Sequence, residues 1–192
     1  MGKSRKREPA KRLGKTSLPL EHIHEMHQRA CAFRVAATQL RNLDADPSNP
    51  DGYGIFNAIC VNAGYAMELY LKVLCHIHSG NFVKTHMLAT LHSSLPEIVQ
   101  SGLEENFCEN LAKFGGKVQT VRPFTLVANK PTTTGPIPFS FAGYMHEFDR
   151  SGMTARRYPE DRSNEIELDF VHQALVCAVT LEVAAQHHIT SS

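Results

Sequence analysis

The chain has 192 residues, 42% of them apolar, with 20 Lys+Arg against 19 Asp+Glu and no Trp. That length fits one domain with tails, and the apolar share is enough for one sizeable core. Near-balanced charge excludes a global field that would draw the whole protein onto nucleic acid or a membrane. The five cysteines (Cys31, Cys60, Cys75, Cys108 and Cys177) form no CxxC pair, which excludes a zinc knuckle and a thioredoxin-type motif. Scattered thiols inside apolar patterns behave as small hydrophobes and point to a reducing, cytoplasmic setting. No apolar run of membrane-spanning length is expected, and no signal-peptide core follows the basic start.

Residues 1–16 form a basic tail, with Lys3, Arg5, Lys6, Arg7, Lys11, Arg12 and Lys15 against Glu8 alone. So few large apolar groups cannot offset ordering entropy, so the tail is expected to be unfolded, with the domain spanning 17–188. Arg5, Lys6 and Arg7 are the candidate nucleic-acid contacts there, and a solubilising tail is the alternative.

A first helix is expected from Pro19, because proline is tolerated in a first turn. Ile23, Met26, Ala30, Phe33, Ala37 and Leu40 form its apolar stripe. Turn formers between Asp44 and Gly52 end it. Residues 55–78 form the strongest helical pattern, apolar nearly all round like the central helix of a bundle, and Ser79-Gly80-Asn81 stops it. A third helix is expected from about Thr85 to Leu95, and a fourth over Leu103–Phe114 before Gly115-Gly116. The prolines at 123, 131, 136 and 138 argue against helix over 117–138, with a short extended pair at 118–121 and 126–128. Asn164 and Glu167 form a capping-box pattern for a last helix, continued by Ile166, Phe170, Ala174, Val176 or Cys177, and Leu181 to about Ala185. The fold class is all-α: an up-and-down helical bundle with one long irregular insertion between the later helices.

Glu68, Lys72 and His76 recur every four residues, stacked on one face of the most apolar helix. Gly64 lies one turn earlier on that stripe. Polar groups there are costly unless paired. They form either an intrahelical pair at a wet edge or a buried network reaching another helix.

These residues carry a resemblance. Ala63-Gly-Tyr-Ala-Met-Glu-Leu-Tyr-Leu-Lys72, then Lys84-Thr-His86 with Leu88 and Leu91, then Arg157-Tyr158-Pro159 before a final helix, resembles the HEPN superfamily. The likeness covers roughly residues 55–95 and 156–185. It implies a compact helical bundle, a homodimer, and a place in prokaryotic toxin–antitoxin, defence or nucleotidyltransferase-associated systems. Ribonucleolytic members resemble one another in an arginine followed by a histidine near the last helix. Here no histidine has an arginine five to seven residues before it, and His172 follows Glu165, Ile166 and Glu167 at those positions. The resemblance therefore implies a form without the ribonuclease motif.

His22, His24 and His27 imitate metal ligands but lack an acidic or cysteine partner, so surface positions are expected and no metal. His187 and His188 fall in a last helical turn, where cations suit the helix dipole. His86 is expected at the start of a helix, as either a structural hydrogen bond or a catalytic group. Arg156, Arg157 and Tyr158 form a phosphate-friendly trio, and an ion pair of Arg157 with Glu68 is the competing assignment.

The expected function is a HEPN-like module, associated with nucleic acid or nucleotide, of a prokaryotic stress, defence or toxin–antitoxin system. The expected partners are a second copy, RNA or nucleotide, and a nucleotidyltransferase-type or antitoxin protein, with no membrane and no cofactor. The alternatives are a helical protein-binding adaptor and a degenerate, metal-independent endoribonuclease using Arg157 with His86 or His172. The candidate polar network is Glu68, Lys72, His76 and Tyr158.

Overall fold

The structure, a computed structural model, describes residues 19–42, 50–113, 140–151 and 168–191. Six helices account for nearly all of them: α1 (Leu20–Arg41), α2 (Pro50–Ser79), α3 (Leu88–Ser93), α4 (Glu97–Lys113), α5 (Phe141–Ser151) and α6 (Leu168–Thr190). No strand occurs among the described residues, so the all-α bundle is the fold. α2 runs through its middle and packs on α1, α3 and α6; α4 packs on α5 and α6, and α5 closes over α3.

The periodicity of α1 works as expected: Ile23, Ala30 and Ala37 are buried, with Met26, Phe33 and Leu40 packed at the margin. His27 corrects one expectation. It is not a surface residue like the exposed His22 and His24, but is buried edge-on against Tyr70, with ring centroids 5.6 Å apart. α2 begins at Pro50, inside the stretch of turn formers, because a proline at a first helical position loses no hydrogen bond. It ends as the sequence suggests, with Gly80 at φ 65°, a left-handed residue after the last turn.

The window 57–79 of α2 is long and apolar enough to cross a membrane, contrary to the sequence expectation. Within the bundle 72% of that window is buried against other helices, as befits the central helix of a core.

α3 is shorter than expected, and α4 starts six residues earlier, at Glu97. Pro96 does not merely interrupt: its carbonyl accepts the amides of Val99 and Gln100 and so opens α4. Leu103, Phe107 and Leu111 are buried as anticipated. α5 was not anticipated, although Phe141, Tyr144, Met145 and Phe148 form a helical apolar stripe and all are buried. Ser140 Oγ accepts the Gly143 amide, and Glu104 of α4 accepts the Phe141 amide at 2.9 and 3.0 Å. α6 extends five residues past Ala185, burying Ala174, Val176, Cys177, Leu181 and Ala185. The proposed strand pair at 118–121 and 126–128, the insertion that contains it and the capping box at Asn164 lie outside the described residues.

Burial of each large side chain contributes about 1.5–3 kcal/mol. Phe107 and Phe141 meet edge to face at 5.5 Å and tie α4 to α5. Polar ties reinforce the frame. Arg34 of α1 pairs with Glu182 of α6, Nη2 donating to Oε1 at 3.2 Å. Asn110 of α4 donates to Thr180 of α6 at 3.0 Å. Tyr70 donates to Cys31 Sγ at 3.4 Å, and burial raises the phenol's pKa far above its ordinary value. Cys75 donates to the Leu91 carbonyl, and burial pushes its thiol up to about 11. Such a thiol is a core hydrophobe rather than a nucleophile.

Candidate functional site

Helical spacing brings Glu68 and Lys72 together, one turn apart on α2, with Nζ 2.7 Å from Oε1. Both are buried, so this is no wet-edge pair but the core of a polar site. Lys72 Nζ also stands over the Phe82 ring, 5.5 Å from its centroid. A desolvated ammonium gains from a ring face as well as from a carboxylate.

The network reaches off the helix through His86. Its Nδ1 lies 2.8 Å from the same Glu68 Oε1, although the His86 side chain is 76% exposed and that of Glu68 only 5%. A buried carboxylate thus holds an imidazole that faces solvent. With Nδ1–H donating to the carboxylate, Nε2 carries the lone pair and can accept a proton or hydrogen bond from outside.

The sequence places His86 at the start of a helix; it stands instead in the segment before α3. Two contacts shorten that helix. Thr85 Oγ1 accepts the Met87 amide at 3.1 Å, and Asp149 of α5 accepts the amides of Leu88 and Ala89, each at 2.8 Å. Met87, the N-cap residue, has no side-chain acceptor of its own, so the cap arrives from another helix. α5, through Asp149, therefore fixes where His86 stands.

His76 is buried one turn beyond Lys72, but no hydrogen bond joins its side chain to the Glu68 group among the described residues. Glu68 Oε2 is likewise buried without a described partner. Arg5, Lys6, Arg7, Arg156, Arg157 and Tyr158, and the side chain of His172, lie outside the described residues, and with them the assignment of Arg157 to Glu68. Among the described residues no cluster of three His, Cys, Asp or Glu side chains is arranged to hold a metal ion.

His187 and His188 fall in the last turn of α6, as expected, but His188 is partly buried there. His188 packs edge-on against His78 at 4.5 Å, and burial, then His78 and His187, lowers its pKa, so it is a poor cation for the helix dipole.

Sequence reasoning found Glu68, Lys72 and His86 but missed Phe82 and Asp149. Phe82 was detectable as an aromatic just past the Gly80 stop; Asp149 was not, because its role depends on α5 crossing α3. No family model, curated protein or solved structure matches the chain.

Proposed function

We propose that this chain is a HEPN-like helical module that engages nucleic acid or nucleotide through the face around His86, in a prokaryotic stress, defence or toxin–antitoxin system. The observation that carries this reading is the exposed His86 imidazole on the buried Glu68–Lys72 pair. A core carboxylate at this depth is costly, and its use to orient one surface imidazole favours a ligand-facing role over a purely structural one. The bundle architecture is compatible with the sequence resemblance. A homodimer and a nucleotidyltransferase-type or antitoxin partner belong to the same proposal.

The second reading is a degenerate endoribonuclease. The Glu68–His86 contact favours it, because a carboxylate that orients an imidazole is the arrangement of a general base. Arg157 would then bind phosphate.

RNA and nucleotide binding by the purified chain at low ionic strength, followed by fluorescence anisotropy, tests the proposal. The expected result is binding that His86→Ala weakens at an unchanged melting temperature, with no RNA cleavage in the absence of metal. Cleavage lost in both His86→Ala and Arg157→Ala, with the fold intact, would favour the ribonuclease instead. No binding of RNA or nucleotide at all would sink both readings and advance the protein-binding adaptor.

A further inference from the structure

The segment between α2 and α3 has an ordered alternation. Residues 81–87 belong to no helix, and Met87 has extended backbone angles, φ −79° and ψ 116°. Asn81, Val83 and Thr85 are half-buried, with Val83 packed on the core, whereas Phe82, Lys84 and His86 are exposed. Exposure thus alternates over 81–86 with the two-residue period of an extended chain, and Met87 after it is exposed too. The outward row is therefore aromatic, cation, imidazole, with successive side chains about 6.5 Å apart.

Both ends of the row are anchored. At the start the Gly80 amide donates to the His76 carbonyl at 2.8 Å, and Asn81 bonds to Ser79 through its amide and its side chain. At the end Asp149 holds the Leu88 and Ala89 amides, and Glu68 holds His86. Under the row, Lys72 stands against the Phe82 ring, which nevertheless keeps 40% exposure. An exposed phenylalanine kept in place by a buried ammonium is pre-organised for contact from outside.

We propose that the Phe82–Lys84–His86 row seats a single strand of nucleic acid, one base stacking on Phe82 and the backbone following Lys84 and His86. The inference rests on the nucleic-acid reading above and narrows it to unpaired strands. Stacking is open only to an unpaired base, because in a duplex both base faces are covered by neighbours. An acidic peptide would engage Lys84 and His86 alone, leaving the held aromatic ring unused.

The test is binding of labelled oligouridylate, and of a duplex RNA of matched length, to the full chain over a salt series. Phe82→Leu is expected to weaken single-strand binding about five- to a hundred-fold at every salt concentration, since stacking is not screened. Phe82→Tyr restores it. Lys84→Ala is expected to reduce the log–log salt slope by about 0.7, one phosphate contact on a single strand. Should Phe82→Leu lower the melting temperature, the slope change and the Tyr variant decide the matter. Unchanged single-strand affinity in Phe82→Leu and an unchanged slope in Lys84→Ala overturn the row while leaving a nucleic-acid module in place. Equal competition by polyglutamate also overturns it, in favour of a general anion seat. Absence of any binding by the parent chain overturns the nucleic-acid reading itself, and the row with it.

Discussion

Glu68 Oε1 receives His86 Nδ1 at 2.8 Å while the same oxygen receives Lys72 Nζ at 2.7 Å. The two partners depend on Glu68 unequally. Lys72 is buried and needs a counter-charge to remain folded in; His86 is exposed and needs the carboxylate only for its orientation. One side chain thus supports both the stability of α2 and the geometry of the surface site.

This asymmetry makes Glu68→Ala the most damaging single change at the site. It leaves Lys72 buried with the Phe82 ring as its one remaining contact of this kind among the described residues, a loss on the order of 3 kcal/mol or more. A fall in Tm of roughly 10 °C follows for a domain of this size. Lys72→Met in the same chain should recover much of the loss, because the stranded charge is gone. A melt of Glu68→Ala that matches the parent ends the account.

Asp149→Ala tests whether α5 positions His86. Two amide bonds to a carboxylate at a helix start are lost, at a cost of about 1–2 kcal/mol. His86→Ala, by contrast, should change stability by less than about 0.5 kcal/mol, as exposed substitutions usually do. Denaturant titration of both variants separates them; if Asp149→Ala leaves both stability and His86-dependent binding intact, the cap has no such role.

Much of this was legible in the sequence, for definite physical reasons. The stripe of α1 and the polar spacing of Glu68 and Lys72 are properties of one helix, and helical periodicity determines them locally. One local signal was overlooked, and two features were not local. α5 escaped notice because its eleven residues follow a proline-rich stretch, although Phe141, Tyr144, Met145 and Phe148 are spaced for a helix. His27 looked like a surface histidine because only the crossing of α1 over α2 brings Tyr70 against it. The start of α3 depended on Asp149, sixty residues away in sequence from Ala89.

The basic tail and the surface site should respond differently to salt. Seven cationic residues lie within the first sixteen. If they contact phosphates, deleting residues 1–15 removes most of the non-specific, salt-dependent affinity, with each contact worth a slope of about 0.7 on single strands. The composition predicts an unchanged Tm for the deletion, because such a segment adds few native contacts. Anisotropy over a salt series and a melt check both; an undiminished slope after deletion assigns the electrostatic contacts to the domain.

Acid should destabilise the fold through three of its histidines. The pKa of His92 is lowered by burial and then by His146; it packs beside Phe141 with a buried Nε2 that has no described partner. His27 is lowered by burial, which outweighs the opposing pull of Glu182, and His24 adds to the lowering. His188 is lowered by burial and by His78 and His187. A histidine with a lowered folded-state pKa binds fewer protons folded than unfolded once the pH drops toward its ordinary value of 6.5. Stability is therefore full above that value, declines as pH falls through it, and levels off only below the folded-state pKa values. Chemical unfolding at pH 7.5 and 5.5 should show the lower stability at 5.5, and His92→Leu should shrink the difference by removing one of the three groups. A His92→Leu chain with the parent's full pH dependence would show that His92 takes no part in it.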